Sequence, residues 1–219
     1  TVLSRGLGDV YKRQIEDRRH FASKAFNISS HYDSAIFSYF DDGNTAFKFS
    51  MPNANSLRYG ENPHQKGTFY GDLEGFFEQL NGKALSYNNL LDIDAAMHLI
   101  SEFEDTTFAI LKHNNTCGIA SRHNLKDAYM AALAADPISA FGGILVCNVE
   151  LDEQTAQEIN TLFCEIIIAP SYQKEALEIL KSKKNRIILV QKEYKLPNIQ
   201  FRTILNLSLI HISEPTRQD

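Results

Sequence analysis

The sequence has 219 residues, 43% of them hydrophobic and 22% charged, with a formal net charge of −5 and a pI near 5.8. Such an acidic chain lacks the clustered Lys and Arg excess of nucleic-acid binders, so an anionic ligand has to be met by a few placed residues. No window holds the roughly 20 consecutive apolar residues of a membrane span and no signal peptide opens the chain, which predicts a soluble, cytoplasmic protein.

The first stretch, TVLSRGLGDVYKRQ, has neither helical nor strand periodicity. At the other end LSLIHISEPTRQD breaks off with Ser213, Pro215 and a polar tail. Both read as translated sequencing-adapter tails; the rival reading of the first as a transit peptide fits poorly with Asp9 and a single Ser4. Residues 1–14 and 208–219 are therefore expected to be foreign, and the native segment to run from about Ile15 to about Leu207 with sequence missing on both sides.

Two short amphipathic helices are predicted over residues 17–40, with Phe21, Ala22, Ala25 and Phe26 on one face. The second, after Ser29 and Ser30, carries Ala35, Ile36, Tyr39 and Phe40. The turn-forming Asp41-Asp42-Gly43-Asn44 then precedes an expected strand at 47–49, and the crowding of Pro52, Asn53, Asn55 and Ser56 marks a linker, with a domain boundary near residue 50. Beyond it, apolar runs at 107–111, 144–146, 166–169 and 187–190 read as buried strands. Helical patterns occupy 92–103, 125–135, 153–163 and 174–183, with Asp152 placed to cap the third and Ser171 the fourth. This order predicts an α/β layered sheet, whose ligands are expected in loops beyond the carboxyl ends of the strands.

Lys112 and His113 follow the run at 107–111. An imidazole can accept a proton near neutral pH and an adjacent ammonium can steady an oxyanion, which together serve acyl transfer. Both can face one substrate only if the backbone turns there, which Asn114, Asn115 and Gly118 permit; taken alone, the pair reads as a hydrogen-bonded loop histidine beside a solvated lysine. In Leu57-Arg-Tyr-Gly-Glu-Asn-Pro-His-Gln65, Arg58 offers a planar fork of donors, Tyr59 a stacking ring, and Gly60 and Pro63 turns that can hold His64 toward a ligand. The same nonapeptide is equally a polar surface loop. Gly142 and Gly143 let a flat ring or phosphate approach the backbone, with Ser139 adding a hydroxyl, or simply make a tight turn entering a strand. Glu165 opens the run at 166–169 and can accept from a ligand amine or hydroxyl, although a carboxylate there is more often solvated. Cys117, Cys147 and Cys164, odd in number and without a C-x-x-C, read as reduced, mostly buried thiols.

In this order and spacing, LRYGENPHQ, LSYNNLLDIDAA, KHNNTCGIA, DPISAFGGI and EIIIAP resemble the AICAR formyltransferase domain of the bifunctional purine-biosynthesis enzymes. The resemblance extends back through EDRRHFASKAFNISSHYDSAIFSYF, similar to the join after the IMP cyclohydrolase domain, and forward to about Val190. It implies residues 15–50 as the end of the cyclohydrolase domain and 51–207 as the first half of the formyltransferase domain. The implied fold is a three-layer α/β/α, cytidine-deaminase-like sheet without zinc, and the absence here of H-x-E followed by P-C-x-x-C agrees.

The implied reaction is formyl transfer from 10-formyltetrahydrofolate, as co-substrate, to the 5-amino group of AICAR, with the full-length parent also closing the ring to IMP. By the same resemblance His113 is the proton acceptor and Lys112 stabilises the transition state. Arg58 and Tyr59 contact AICAR with His64 nearby, Gly142 and Glu165 line the pocket, no metal takes part, and the full-length parent is a homodimer. Two departures stand out. The loop reads KHNNTCG where the family pattern is KHANPCG, and losing the proline predicts a freer loop. The second half of the formyltransferase domain, with the folate site, and the cyclohydrolase body do not appear, so the chain is expected to bind without turnover. Two other readings are a non-catalytic purine-ribonucleotide-binding module that uses Arg58 and the Gly142–Gly143 loop, and a zinc deaminase relative.

Overall fold

Where the apolar runs lack polar alternation, both faces of a strand must be covered, and the chain does this with helices on either side of one sheet. The computed structural model describes residues 14–41, 45–51 and 53–193, together with the backbone of Ile199–Ile204 and Leu207–Ile212. The chain divides into two units, one of Thr1–Ser56 with Thr68–Gly71, the other of Leu57–Gly67 with Asp72–Asp219.

The first unit contains α1 (Ile15–Phe40), a single 26-residue helix with no buried residue. The break expected at Ser29 and Ser30 does not occur. Their hydroxyls turn back onto Phe26 O at 3.5 Å and Asn27 O at 3.3 Å, so the helix satisfies them without yielding its own ladder. No strand forms at 47–49. Instead β1 (Ala54–Ser56), inside the stretch expected to be a linker, pairs antiparallel with β2 (Thr68–Tyr70).

The second unit holds a six-stranded mixed sheet in the order β3-β8-β7-β6-β4-β5. Its elements in chain order are β3 (Phe77–Asn81), α2 (Tyr87–Ile100), β4 (Thr107–Lys112), β5 (Asn115–Ser121), α3 (Leu125–Ala135), β6 (Ile144–Cys147), α4 (Glu153–Ile159), β7 (Ile166–Ala169), α5 (Lys174–Lys181) and β8 (Ile187–Gln191). β6, β7 and β8 run parallel, with Ile144 opposite Ile166 and Ile166 opposite Ile187. β3 lies antiparallel to β8, and β4 is antiparallel to both β5 and β6. A hairpin of β9 (Ile199–Ile204) and β10 (Leu207–Ile212) follows, so paired backbone runs past the expected end of the native segment, while residues 1–13 and 213–219 of the expected foreign tails lie outside the described residues.

The period of two along the strands splits the core. Phe108, Ile110, Leu145, Cys147, Ile167, Ala169 and Ile188 meet α3, α4 and α5 through Tyr129, Ile159 and Leu180. Ala109, Leu111, Ile144, Val146, Ile166, Ile168, Ile187 and Leu189 meet α2 through Ile93, Ala96 and Ile100. The result is three layers, and each large side chain so buried contributes about 1.5–3 kcal/mol.

Some helix limits and one cap differ from the pattern in the sequence. α2 begins at Tyr87, five positions before the first expected residue, because Ser86 and Asn89 form a capping box: Asn89 N donates to Ser86 Oγ and Ser86 N to Asn89 Oδ1. α4 is capped by Asp152 as expected, through Thr155 N at 2.7 Å, and ends at Ile159. The N-cap of α5 is Gln173 and not Ser171, whose carbonyl accepts from Leu151 N and whose hydroxyl reaches Glu150.

Gly118 was expected to help the chain turn after His113. It lies instead within β5, under α3, where a Cβ would fall onto the carbonyl oxygen of Ala132. Gly118→Ala is expected to push α3 from the sheet and lower stability by about 3 kcal/mol, read from urea unfolding; a change below about 0.5 kcal/mol would contradict the close contact.

Candidate functional site

Because β4 is antiparallel to β6, the carboxyl end of β4 lies at the same sheet edge as the amino ends of β6, β7 and β8. Lys112 ends β4, Gly142 and Gly143 precede β6, and Glu165 precedes β7. All the sheet-borne candidates therefore share one edge. For Gly142 and Glu165 it is the opposite edge to the one expected from the rule for parallel α/β sheets, since they come before their strands.

The Lys112–Asn115 pair closes a two-residue hairpin turn in which His113 has φ 53° and Asn114 φ 60°. Two-residue hairpins favour positive φ at both central positions, and Asn and Gly tolerate it best. Left-handed backbone costs an L-residue roughly 1–2 kcal/mol, so this turn needs support. It comes from α2: Asn114 N donates to Asp92 Oδ1 at 2.7 Å. The Asn114 side-chain nitrogen, in the orientation its neighbours satisfy, donates to Asp92 Oδ1 and Leu91 O, each at 3.0 Å. Asn115 Nδ2 adds a bond to His113 O at 2.8 Å. Asparagine in place of the family pattern's alanine accepts the positive φ and ties the turn to a helix.

Lys112 is half-buried and its Nζ donates to Phe141 O at 2.7 Å, which leaves two ammonium protons for other partners. The next residue, Gly142, has φ +76° and donates its N–H to Phe163 O at 2.7 Å. Gly143 has no room for a Cβ, which would sit 2.7 Å from Leu111 O. Ser139 N donates to Asp136 Oδ1 at 2.9 Å, and the Ser139 hydroxyl and amide hold the Asp136 carboxyl below its ordinary value. Glu165 is not merely solvated: its N–H donates to Gly143 O, while its Oε2 accepts from Asn89 Nδ2 at 3.2 Å and lies 3.8 Å from Lys83 Nζ. Lys112, Gly142 and Glu165 are joined in this way by one continuous set of contacts.

The Leu57–Gly67 loop closes on itself, with Leu57 N donating to Gly67 O and Gly60 N to Gln65 O. Arg58 Nη2 donates to Tyr59 Oη at 2.8 Å, and its guanidinium lies 4.6 Å from the centre of the Tyr59 ring, so the two act as one cationic, aromatic pair. The loop is held to α2 by Asn88 Nδ2, which donates to Glu61 O at 3.0 Å. His64 is exposed on this loop and takes no part in the network around Lys112.

The first two turns of α2 therefore touch three parts of the site: Asn88 the Arg58 loop, Asn89 Glu165, and Asp92 the His113 turn. These three residues, with Lys83, are what sequence reasoning missed. Their signal was present in LSYNNLLDIDAA, a polar opening to an otherwise apolar helix.

Along the same edge runs an open groove of about 460 Å³ lined by Lys83, Phe141, Phe163, Glu165, Lys183 and Arg186 among others. Arg186 is buried and gives Nη1 to Asn160 Oδ1 and Leu180 O and Nη2 to Leu162 O, at the carboxyl ends of α4 and α5. A cation is favoured there by the helix dipoles, so its role is structural. Burial pushes the Cys147 thiol up to about 12 and Cys164 up to about 11, which leaves both protonated at neutral pH. Among the described residues no three His, Cys, Asp or Glu side chains group to hold a metal ion, and no helix is long and apolar enough to cross a membrane.

The fold is a three-layer α/β domain of the mixed-sheet class, with a Lys-His hairpin, a glycine turn and a carboxylate on one edge. The chain matches the family described as AICARFT/IMPCHase bienzyme over residues 5–218, and it belongs to that family. It is 61% identical over 197 residues to the bifunctional purine biosynthesis protein PurH of Bacteroides thetaiotaomicron, covering 90% of this chain and 39% of the relative. The proteins of the same name from Petrotoga mobilis and Caldicellulosiruptor saccharolyticus are 46% identical over 185 residues and 43% over 196, covering 78% and 83% of this chain and 36% and 38% of the relatives. The chain thus spans about two fifths of the length of these relatives.

Asn114→Ala, which restores the alanine of the family pattern without its proline, is expected to lower stability by about 1–2 kcal/mol in urea unfolding. An unchanged midpoint would show that the Asp92 and Leu91 bonds contribute nothing.

Proposed function

We propose that this chain forms part of a folate-dependent formyltransferase site, in which the amino group of AICAR attacks the formyl carbon of 10-formyltetrahydrofolate. The observation that carries the reading is the edge cluster of Lys112, His113, Gly142 and Glu165 in a member of this family. His113 takes the proton from the amine as its nitrogen bonds to the formyl carbon, the tetrahedral oxyanion meets the free ammonium protons of Lys112, and the bond from that carbon to N10 of the donor then breaks with protonation of N10. The amine needs this help because its lone pair is delocalised into the ring and carboxamide. General-base assistance is typically worth about 100- to 10,000-fold.

The Arg58–Tyr59 pair suits a phosphate or a flat base, and His64, Gly142 and Glu165 complete the substrate pocket. The parent protein also closes the product to IMP, acts as a homodimer in the cytoplasm and needs no metal for this chemistry. Residues 15–50 then belong to the end of its cyclohydrolase domain, and residues 51–207 to the first half of a formyltransferase domain whose sheet is cytidine-deaminase-like. Folate residues lie outside this chain, which alone holds AICAR without turning it over, since transfer needs both reactants aligned at roughly 3–3.5 Å. No observation favours a purely non-catalytic nucleotide-binding module, and the zinc-ligand motifs of a deaminase are missing from the sequence.

These roles are tested by placing residues 15–193 in the Bacteroides thetaiotaomicron relative in exchange for its matching segment. His113→Ala is expected to abolish formyl transfer while AICAR binding persists, because the imidazole acts on the transition state. Comparable turnover at saturating substrate and donor would rule out the base assignment. Arg58→Ala is expected to weaken AICAR binding in calorimetry more than Arg58→Lys does, since lysine keeps the charge and loses the planar fork. Equal affinities for all three proteins would return the loop to a surface role.

A further inference from the structure

The Lys112-His113 turn is held from outside itself. Its two central residues occupy left-handed backbone, both are exposed, and within the hairpin it is closed by the Lys112–Asn115 pair and the Asn115 Nδ2 bond to His113 O. The support that reaches it from another element comes from α2: Leu91 O accepts from the Asn114 side chain, and Asp92, half-buried in the second turn, accepts at Oδ1 from both the backbone and the side chain of Asn114. α2 is itself fixed, because Ile93, Ala96 and Ile100 are buried against β4 and β6. A carboxylate on a rigid helix thus sets where the turn sits, and with it the imidazole one residue before Asn114.

We propose that Asp92 is a positioning residue for His113: by accepting from Asn114 it holds the strained turn in the one conformation that presents the imidazole to the substrate amine. This rests on the reading of His113 as the proton acceptor. Asp92 touches neither reactant. Its effect falls on the alignment of the base, so it belongs to the rate of the chemical step and not to the affinity for AICAR.

The test uses the grafted relative and four variants: Asp92→Ala, Asp92→Asn, Asp92→Ala with Asn114→Gly, and His113→Ala as reference. Alanine is a good helix residue, so Asp92→Ala keeps α2. It is expected to lower kcat about 100-fold, the scale of a misplacement near 1 Å, with the KM for AICAR within about two-fold. Asp92→Asn retains an acceptor oxygen and is expected to keep most of kcat. Glycine adopts positive φ without strain, so Asn114→Gly in the Asp92→Ala background is expected to restore kcat at least about ten-fold, a rescue that a loss of general stability would not allow. Unchanged kcat in Asp92→Ala beside an inactive His113→Ala would overturn the positioning role alone. So would a loss in Asp92→Ala that Asn114→Gly does not relieve. Full turnover in His113→Ala would overturn the base assignment and the positioning role with it.

Discussion

β4 enters the sheet against the direction of its neighbour β6, and the placement of Lys112 and His113 at the edge of Gly142 and Glu165 follows from that pairing. Had β4 run parallel, Lys112 and His113 would stand at the far edge, separated from Gly142 and Glu165 by the length of a strand, roughly 20 Å for six residues. No side-chain rearrangement could close such a distance. The β4–β5 hairpin is what makes the reversed strand possible, and its two-residue turn is the element that carries the imidazole. The catalytic geometry proposed here and the topology of the sheet are in this sense one constraint.

The second requirement is that the loops around the edge keep a fixed relation, and the amino end of α2 provides it. The capping box of Ser86 and Asn89 fixes the first turn, and the side chains of Asn88, Asn89 and Asp92 reach three segments far apart in sequence. Each bond is individually worth about 1 kcal/mol, which is small beside the apolar burial that anchors the helix. Their value lies in direction: they transmit the rigidity of a packed helix to exposed loops. At the other side of the groove the logic is electrostatic, with Arg186 set on the carboxyl ends of α4 and α5 and Lys83 against Glu165.

Four strands and the helices of the sheet were legible because uninterrupted apolar runs such as Ile166–Ala169 and caps such as Asp152 leave little choice. The edge strands β3 and β5 were not, since Phe77–Asn81 and Asn115–Ser121 mix polar and small residues and gain their ladder from neighbours. Strand direction was equally hidden, because periodicity does not distinguish parallel from antiparallel, and so the arrival of Lys112 at the edge where Gly142 and Glu165 enter their strands was not foreseen. Lys112, His113, Arg58 and Glu165 were singled out from motif order, whereas Asp92 was not, because its contact with Asn114 depends on the positive φ of a turn on another element. Ser29 and Ser30 misled in the opposite way, being helix-compatible once their hydroxyls bond back within α1.

One edge of the mixed sheet, organised by the start of α2, is the nucleotide site proposed for this chain. It is tested most directly by titrating AICAR into the isotopically labelled chain and following each backbone amide by nuclear magnetic resonance. The account predicts shifts concentrated at 57–67, 86–92, 112–116, 141–143 and 163–166, with little change at 148–152 and 170–173 on the opposite edge. Shifts confined to that opposite edge, or saturable binding that leaves the 86–92 and 112–116 amides unmoved, would contradict it.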